Sequence, residues 1–338
     1  MNRELQRLLA QAGIPTALDP RLWSRVLVVN NYGSVPLARG ISPEFAQKGF
    51  KLIVLDRQGR PTHFVRCGAA IDATLEREGS ILEVLGSQPE LADIVPQSRS
   101  ACSERLRVVL TSYKAGVPYS RFVRAQRVAK WANTVQEIIA NCTKVTERAE
   151  TLLPTLLRGA EQVSLFEEAV PSLRRLQTAG WDDGVVEKLG SALREVEPLP
   201  RRMQHGDLWP ANVIAGSGVW WLIDFAEFGQ VQVPMYDVFH MIGHCPGSGD
   251  GVRFILGAGT RQDEWTAAAQ AVVRHWGERF GLSPRKVGAA LLFYLIHVSA
   301  YRLRAGVAAE YSTPFLRDLR TAADAILSGV ALSRLILP

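Results

Sequence analysis

Cysteine is scarce in this chain of 338 residues, and the four present, Cys67, Cys102, Cys142 and Cys245, stand far apart with no paired spacing. That pattern argues against a disulfide framework or a zinc module and favours reduced thiols in a cytoplasmic protein. Long apolar runs are missing too. The uncharged stretch Val287–Tyr301 has 15 residues and contains His297, whereas a membrane-spanning helix needs about 20 apolar residues. It reads as a buried helix, with Ser283 as its cap and Pro284 at the first helical position, and no membrane span is expected. The opening Met1-Asn2-Arg3-Glu4-Leu5-Gln6-Arg7 is charged and periodic, with no apolar stretch of signal-peptide length behind it. Internal repeats and low-complexity segments are absent. So is a G-x-G-x-x-G loop: near the first apolar run only Gly33 and Gly40 occur.

The hydrophobic share, 47%, is ample for one large or two medium domains. The formal charge of +6 is unevenly spread. Arg99, Arg105, Arg107, Lys114, Arg121, Arg124, Arg127 and Lys130 face a single acid, Glu104, in the same stretch. Such a surface attracts phosphates, anionic metabolites or nucleic acid, or is simply a solvated helix face. Nothing in the sequence specifies an oligomeric state.

One stretch spells out a chemistry. His205-Gly206-Asp207-Leu208-Trp209-Pro210-Ala211-Asn212 is followed by Ile223-Asp224-Phe225. Asn212 opens the apolar run Val213-Ile214-Ala215, which stops at Gly216-Ser217-Gly218 and resumes as Val219-Trp220-Trp221-Leu222-Ile223. This pattern predicts a β-hairpin with a three-residue turn, flanked by Ala215 and Val219. Asn212 and Asp224 then fall at its open end, where two hard oxygens can share one cation. Asp207 lies on a segment that Gly206 and Pro210 keep from being a regular helix, and a carboxylate there can accept the proton of an attacking hydroxyl. An isolated His-Gly-Asp is ordinary turn chemistry; the series Asp, Asn, Asp around a glycine turn is the parts list of phosphoryl transfer.

These residues resemble the catalytic loop and metal-binding segment of the aminoglycoside phosphotransferase and choline kinase family, relatives of the protein kinases. The family carries His-Gly-Asp-x-x-x-x-Asn and then Ile-Asp-Phe or Ile-Asp-Trp, and an Asp after a Pro about a dozen residues on, here Asp237 in Pro234-Met235-Tyr236-Asp237. The resemblance implies a bilobal α+β fold, with a small antiparallel sheet lobe (1–112) and a larger helical lobe (113–338). It implies ATP or GTP as donor, Mg²⁺ held by Asn212 and Asp224, Asp207 as base, a small-molecule hydroxyl as acceptor, and His205 and Asp237 as supports of the loop. The family's strand lysine is replaced by Arg66, with Glu78 as its helix partner. Arginine keeps the charge but is bulkier than the compact ammonium. Backbone groups near Thr111, Ser112 and Tyr113 are expected to meet the purine. Nucleic acid is not the expected partner, and without a cluster of carboxylates a polycationic aminoglycoside is a poor acceptor. The rival readings are a pseudokinase that binds nucleotide or a partner, and a kinase acting on a peptide or protein side chain.

Elsewhere, periodicity predicts a helix over 2–13, strands over 25–29, 50–55 and 63–67, a turn over 30–34, and a helix over 71–86. A strand is expected over 107–113. Past Pro118, helices are expected over 119–141, 143–158, 162–178, 184–196, 263–280, 284–305 and 314–327. His240, His244 and Cys245 read as ordinary residues of their segment, since no second cysteine pair completes a zinc shell. Trp209 is the aromatic best placed to line an acceptor site. Trp220 and Trp221 alternate and so face opposite ways, and at least one should pack internally.

Overall fold

Alternation along one strand decides how the N-terminal part of the chain is layered. In β5 (Leu106–Ser112), Leu106, Val108 and Leu110 point to one face, and they are buried with Leu5, Leu8 and Leu9 of helix α1 (Arg3–Gln11). Phe50, Leu52 and Val54 of β2 (Phe50–Leu55) and Val65 and Cys67 of β3 (Pro61–Ala69) complete that layer. The opposite face carries Val109, covered by α2 (Ala73–Gly86), where a Cβ on Gly79 would lie 3.0 Å from Val109 Cγ2. Helix α2 begins where the Asp72 carboxylate caps the Thr74 and Leu75 amides. With β1 (Val26–Val29) and β4 (Ser98–Cys102) the sheet has five strands in the order β1-β2-β3-β5-β4, all antiparallel.

The protein is described here by a computed structural model over residues 3–13, 26–29, 49–56, 58–121, 123, 126–244, 256, 264–304 and 309–336. The predicted turn over 30–34, with Gly33 and Gly40, lies outside the described residues, as do Arg124 and Cys245. The chain divides into two units, Met1–Val117 with Ile214–Ala226, and Pro118–Val213 with Glu227–Pro338.

The first unit contains the sheet just described. Its strand β4 was not legible in the sequence, because Ser98-Arg99-Ser100-Ala101-Cys102 has no apolar alternation. The strand is held instead by edge pairing to β5 and by the Glu83 carboxylate, which accepts from the Ser100 hydroxyl at 2.7 Å. The basic stretch is therefore not one helix face. Arg99 lies on β4, and Arg107 of β5 is occupied by Glu76 of α2 at 2.9 Å.

In the second unit, the helices expected over 119–141 and 143–158 are corrected to one, α3 (Val128–Leu152). No glycine or proline interrupts it, Cys142 is buried within it, and Pro154 just past its end blocks continuation. The helix expected from 162 starts at Leu165 as α4 (Leu165–Thr178), capped by Ser164. Gln162–Val163 forms β6 and pairs with β7 (Leu199–Pro200). Next come α5 (Asp183–Arg194), α6 (Tyr236–Gly243), α7 (Glu264–Arg279), α8 (Pro284–Arg304) and α9 (Ala309–Leu327). Helix α8 is apolar on nearly every side because it is the unit's central post: Ala289 to Ile296 are all buried, and it packs on α4, α5, α6 and α9. No helix among the described residues is long and apolar enough to cross a membrane.

Burying α8 sets a titration. His297 Nδ1 and the Tyr236 hydroxyl share a hydrogen bond of 2.9 Å. Burial, with the Arg175 cation second, pushes its pKa down from 6.5 to about 4. Because the folded value is the lower one, the unfolded chain binds the extra proton between pH 6.5 and 4. Stability is therefore full above 6.5 and falls as pH drops through that window, by roughly 1.4 kcal/mol per pH unit for this group. Thermal unfolding from pH 7 to 4 should show a slope that His297→Gln reduces by that amount.

Candidate active site

In the second unit the loop is shaped by a glycine that no other residue can replace cheaply. Gly206 has φ +82°, and a Cβ there would lie 2.6 Å from the Glu227 carbonyl oxygen. From the first turn of α6, Asp237 accepts two backbone donors: His205 N–H at 2.6 Å on Oδ2 and Gly206 N–H at 2.9 Å on Oδ1. The Gln204 side-chain oxygen returns the contact by accepting the Asp237 N–H at 3.1 Å. Burial raises the Asp237 pKa to about 6 against the pull of those two amides. The residue two before it, Met235, is held at φ +72°, a left-handed conformation costly for a side chain of this kind.

Asp207 stands at the mouth of this loop with its side chain 38% exposed. The chain then closes a tight turn: Trp209 N–H reaches the Asp207 carbonyl at 3.0 Å, and Asn212 N–H the Trp209 carbonyl at 2.9 Å. Asn212 Nδ2 lies 2.8 Å from Asp207 Oδ2 and 2.9 Å from the Asp207 carbonyl. Both partners are acceptors only, so the amide orientation is fixed chemically and Asn212 Oδ1 faces elsewhere.

The first unit holds Arg66, Glu78 and Asp224. Arg66 on β3 is in register with Val109, and so on the α2 face of the sheet. Its Nη1 lies 2.5 Å from Glu78 Oε2 and 3.0 Å from Asp224 Oδ1. Burial drives the Glu78 pKa up to about 6, with Arg66 pulling it back and the Asp224 charge adding to the rise. Asp224 itself adopts φ +63°, a region Asp tolerates better than most residues.

Asp224 follows the hairpin of β8 (Val213–Ala215) and β9 (Trp220–Leu222). The expected three-residue turn is corrected: Gly216 N–H bonds the Val219 carbonyl at 3.0 Å, closing a two-residue turn at Ser217-Gly218 with Gly218 at φ +77°. A shorter loop fits the twist of the strands and shifts the counting along β9 by one residue. Leu222 N–H bonds the Ile94 carbonyl at 2.8 Å, and Arg77 Nη1 reaches the Ala226 carbonyl at 3.3 Å, which ties this segment to the first unit.

The expectation for Thr111 to Tyr113 narrows. Ser112 N–H bonds the Gln97 carbonyl and Tyr113 N–H the Thr62 carbonyl, both at 2.8 Å, and the Thr111 hydroxyl donates to the Phe64 carbonyl at 3.2 Å. The Ser112 and Tyr113 amides are thus committed within the unit. Trp221 packs over its own turn, where a Cβ on Gly216 would meet its ring at 2.3 Å, with the Lys114 ammonium 5.3 Å above. Trp209 stacks obliquely on His244, centroids 5.5 Å apart.

His240 is the residue sequence reasoning passed over. It is not an ordinary member of its segment: its Nε2 lies 3.2 Å from Asp207 Oδ1. The signal was its position three residues after Asp237 on a helix, which puts both on one face. Among the described residues, no group of three or more His, Cys, Asp or Glu is arranged to hold a metal ion.

The profile of the phosphotransferase enzyme family matches residues 63–278. The chain belongs to that family. Among solved structures, the phosphotransferase resembles choline kinase from Cryptosporidium parvum Iowa II, with TM-score 0.60 and 10% identity over 98% of each chain. It also resembles Plasmodium vivax ethanolamine kinase, with TM-score 0.57 and 12% identity over 94% of this chain and 87% of the other. A glucosamine kinase in complex with glucosamine, ADP and inorganic phosphate gives TM-score 0.50 and 12% identity over 83% and 80%. At such identities the likeness shows the fold, a protein-kinase-like α+β architecture with a sheet lobe and a helical lobe. A comparison with curated proteins finds no match.

The Arg66 cluster makes a test of its own. Arg66→Ala leaves a 98%-buried Glu78 without its cation. Discounted for the partial exposure of the arginine, the cost should be roughly 2–3 kcal/mol. Replacing both, Arg66→Met with Glu78→Leu, should recover most of that stability in thermal unfolding.

Proposed function

We propose that this phosphotransferase moves the γ-phosphoryl group of ATP or GTP to a hydroxyl of a small molecule, with Asp207 as base and Mg²⁺ held by Asn212 and Asp224. The observation that carries the reading is the Asn212 amide, whose Nδ2 donates to Asp207, so that its oxygen is the atom that would meet a cation. An amide oxygen and a carboxylate are hard donors suited to magnesium. When bound, the ion supplies positive charge that offsets the charge of the donor phosphates.

The acceptor hydroxyl donates its proton to Asp207 as its oxygen forms the new bond to phosphorus and the bond to the β-phosphate oxygen breaks. Arg66, held by Glu78, neutralises charge on the departing diphosphate. Asp237 fixes the His205 and Gly206 backbone, so Asp207 is oriented before substrate arrives. Past Ser112, where β5 ends, contact with the purine is assigned to carbonyl groups and to residues 114–116.

Relatives in the fold whose names specify choline, ethanolamine and glucosamine support a small alcohol as acceptor. Free thiols at Cys67, Cys102 and Cys142 accord with a cytoplasmic location. Arginine in place of the family's lysine favours one second reading, a nucleotide-binding module without transfer. Magnesium-dependent ATP and GTP turnover against a metabolite panel, with product masses, decides between them. A product heavier than its alcohol by one phosphoryl group supports transfer. Nucleotide binding with no product from any alcohol, peptide or protein would establish the module, and a phosphorylated peptide would establish a side-chain kinase.

A further inference from the structure

His240 is buried at 5% exposure on α6, and every atom of its ring that can hydrogen-bond is accounted for. Nε2 faces Asp207 Oδ1 at 3.2 Å, and Nδ1 faces the Tyr294 hydroxyl of α8 at 3.3 Å. A carboxylate only accepts, so Nε2 carries the hydrogen. Nδ1 is then an acceptor, and Tyr294 donates to it. The chain runs in one direction: Tyr294 O–H to His240 Nδ1, His240 Nε2–H to Asp207 Oδ1. The surroundings keep both members neutral. Burial comes first for His240, followed by the Arg302 cation and the imidazoles of His205 and His297, and its pKa falls to about 3. Burial likewise pushes the Tyr294 phenol above its usual range. Tyr236 stacks on the imidazole at 5.9 Å, and His244 lies 4.5 Å away on the same helix.

Asp207 is therefore held on both oxygens, by Asn212 on Oδ2 and by His240 on Oδ1. Under the proposed function, which this inference rests on, Asn212 also serves the metal. His240 serves the carboxylate alone.

We infer that His240, held in its Nε2–H tautomer by Tyr294, is a positioning residue that aims the Asp207 carboxylate at the acceptor hydroxyl. The supporting contact is neutral on the donor side and charged on the acceptor side, which makes it stronger than a neutral pair. A tilted carboxylate still leaves the nucleotide site intact, so the loss should appear in turnover and not in nucleotide binding.

The experiment compares His240→Ala, His240→Gln, His240→Asn and Tyr294→Phe on the full chain, using whichever alcohol the metabolite panel identifies. Thermal unfolding and nucleotide affinity are measured beside kinetics. Glutamine places an amide N–H near the Nε2 position, whereas asparagine reaches only as far as Nδ1. His240→Ala and His240→Asn should lower kcat roughly 10- to 100-fold, with nucleotide KM changed less than about twofold. His240→Gln should restore kcat to within about fivefold of the parent, and Tyr294→Phe should cost about three- to tenfold. Equal losses in the Gln and Asn variants, or a loss that follows unfolding temperature alone, would overturn the assignment. Asp207→Ala run in parallel separates the two readings. If it stays active, the base itself is misassigned; if it is dead while His240→Ala, Gln and Asn all turn over normally, only the positioning role fails.

Discussion

Asp207→Ala should lower kcat by about 10²- to 10⁴-fold, the usual range for a general base, while nucleotide affinity stays within about twofold. The split follows from where the residue sits. Its carboxylate is 38% exposed and bonded to Asn212 and His240, whereas Arg66, Glu78 and Asp224 lie in the other unit. Asp207→Asn keeps the shape and loses the basicity, so it should be nearly as inactive as alanine. Steady-state kinetics with isothermal titration of nucleotide reads both quantities. Full turnover in either variant removes Asp207 as the base.

Asp237→Ala should be the most damaging change to stability at the site. It removes the acceptor for two backbone donors, His205 N–H and Gly206 N–H, and His205 is fully buried. Each donor left unsatisfied costs roughly 1–3 kcal/mol, or about 2–6 together, a large part of the 5–15 kcal/mol typical of a folded protein. Asparagine retains one acceptor oxygen and should lose about half as much. Denaturant unfolding gives the free energies. Activity measured well below the unfolding temperature should remain low in both, because the loop is then free to leave the geometry that orients Asp207. A folded, fully active Asp237→Ala would show that Gly206 and the tight turn hold the loop without it.

Much of the architecture was present in local pattern. The i, i+3, i+4 leucines of α1 and the alternation of β5 each declare an element through the residues that form it. The Asp207, Asn212, Asp224 and Asp237 series was legible for the same reason: a glycine with positive φ and a proline turn constrain the backbone before any tertiary contact forms. Where local signals were weak, the chain had to be seen folded. Strand β4 has no alternation and exists because β5 offers it an edge. The break expected near Cys142 does not occur, since packing of α3 along its length outweighs the mild propensity of that region.

The sequence by itself determined which side chains could perform chemistry and the class of reaction they suit, because carboxylates and an amide oxygen at fixed spacing act through their own atoms. Only the tertiary structure decided how they are supported. That residues 214–226 join the sheet unit, that Arg66 bridges Glu78 and Asp224, and that His240 stands on Asp207 all depend on partners 12 to 158 residues apart in the chain. Such pairings are set by burial and register, which no short stretch of sequence contains.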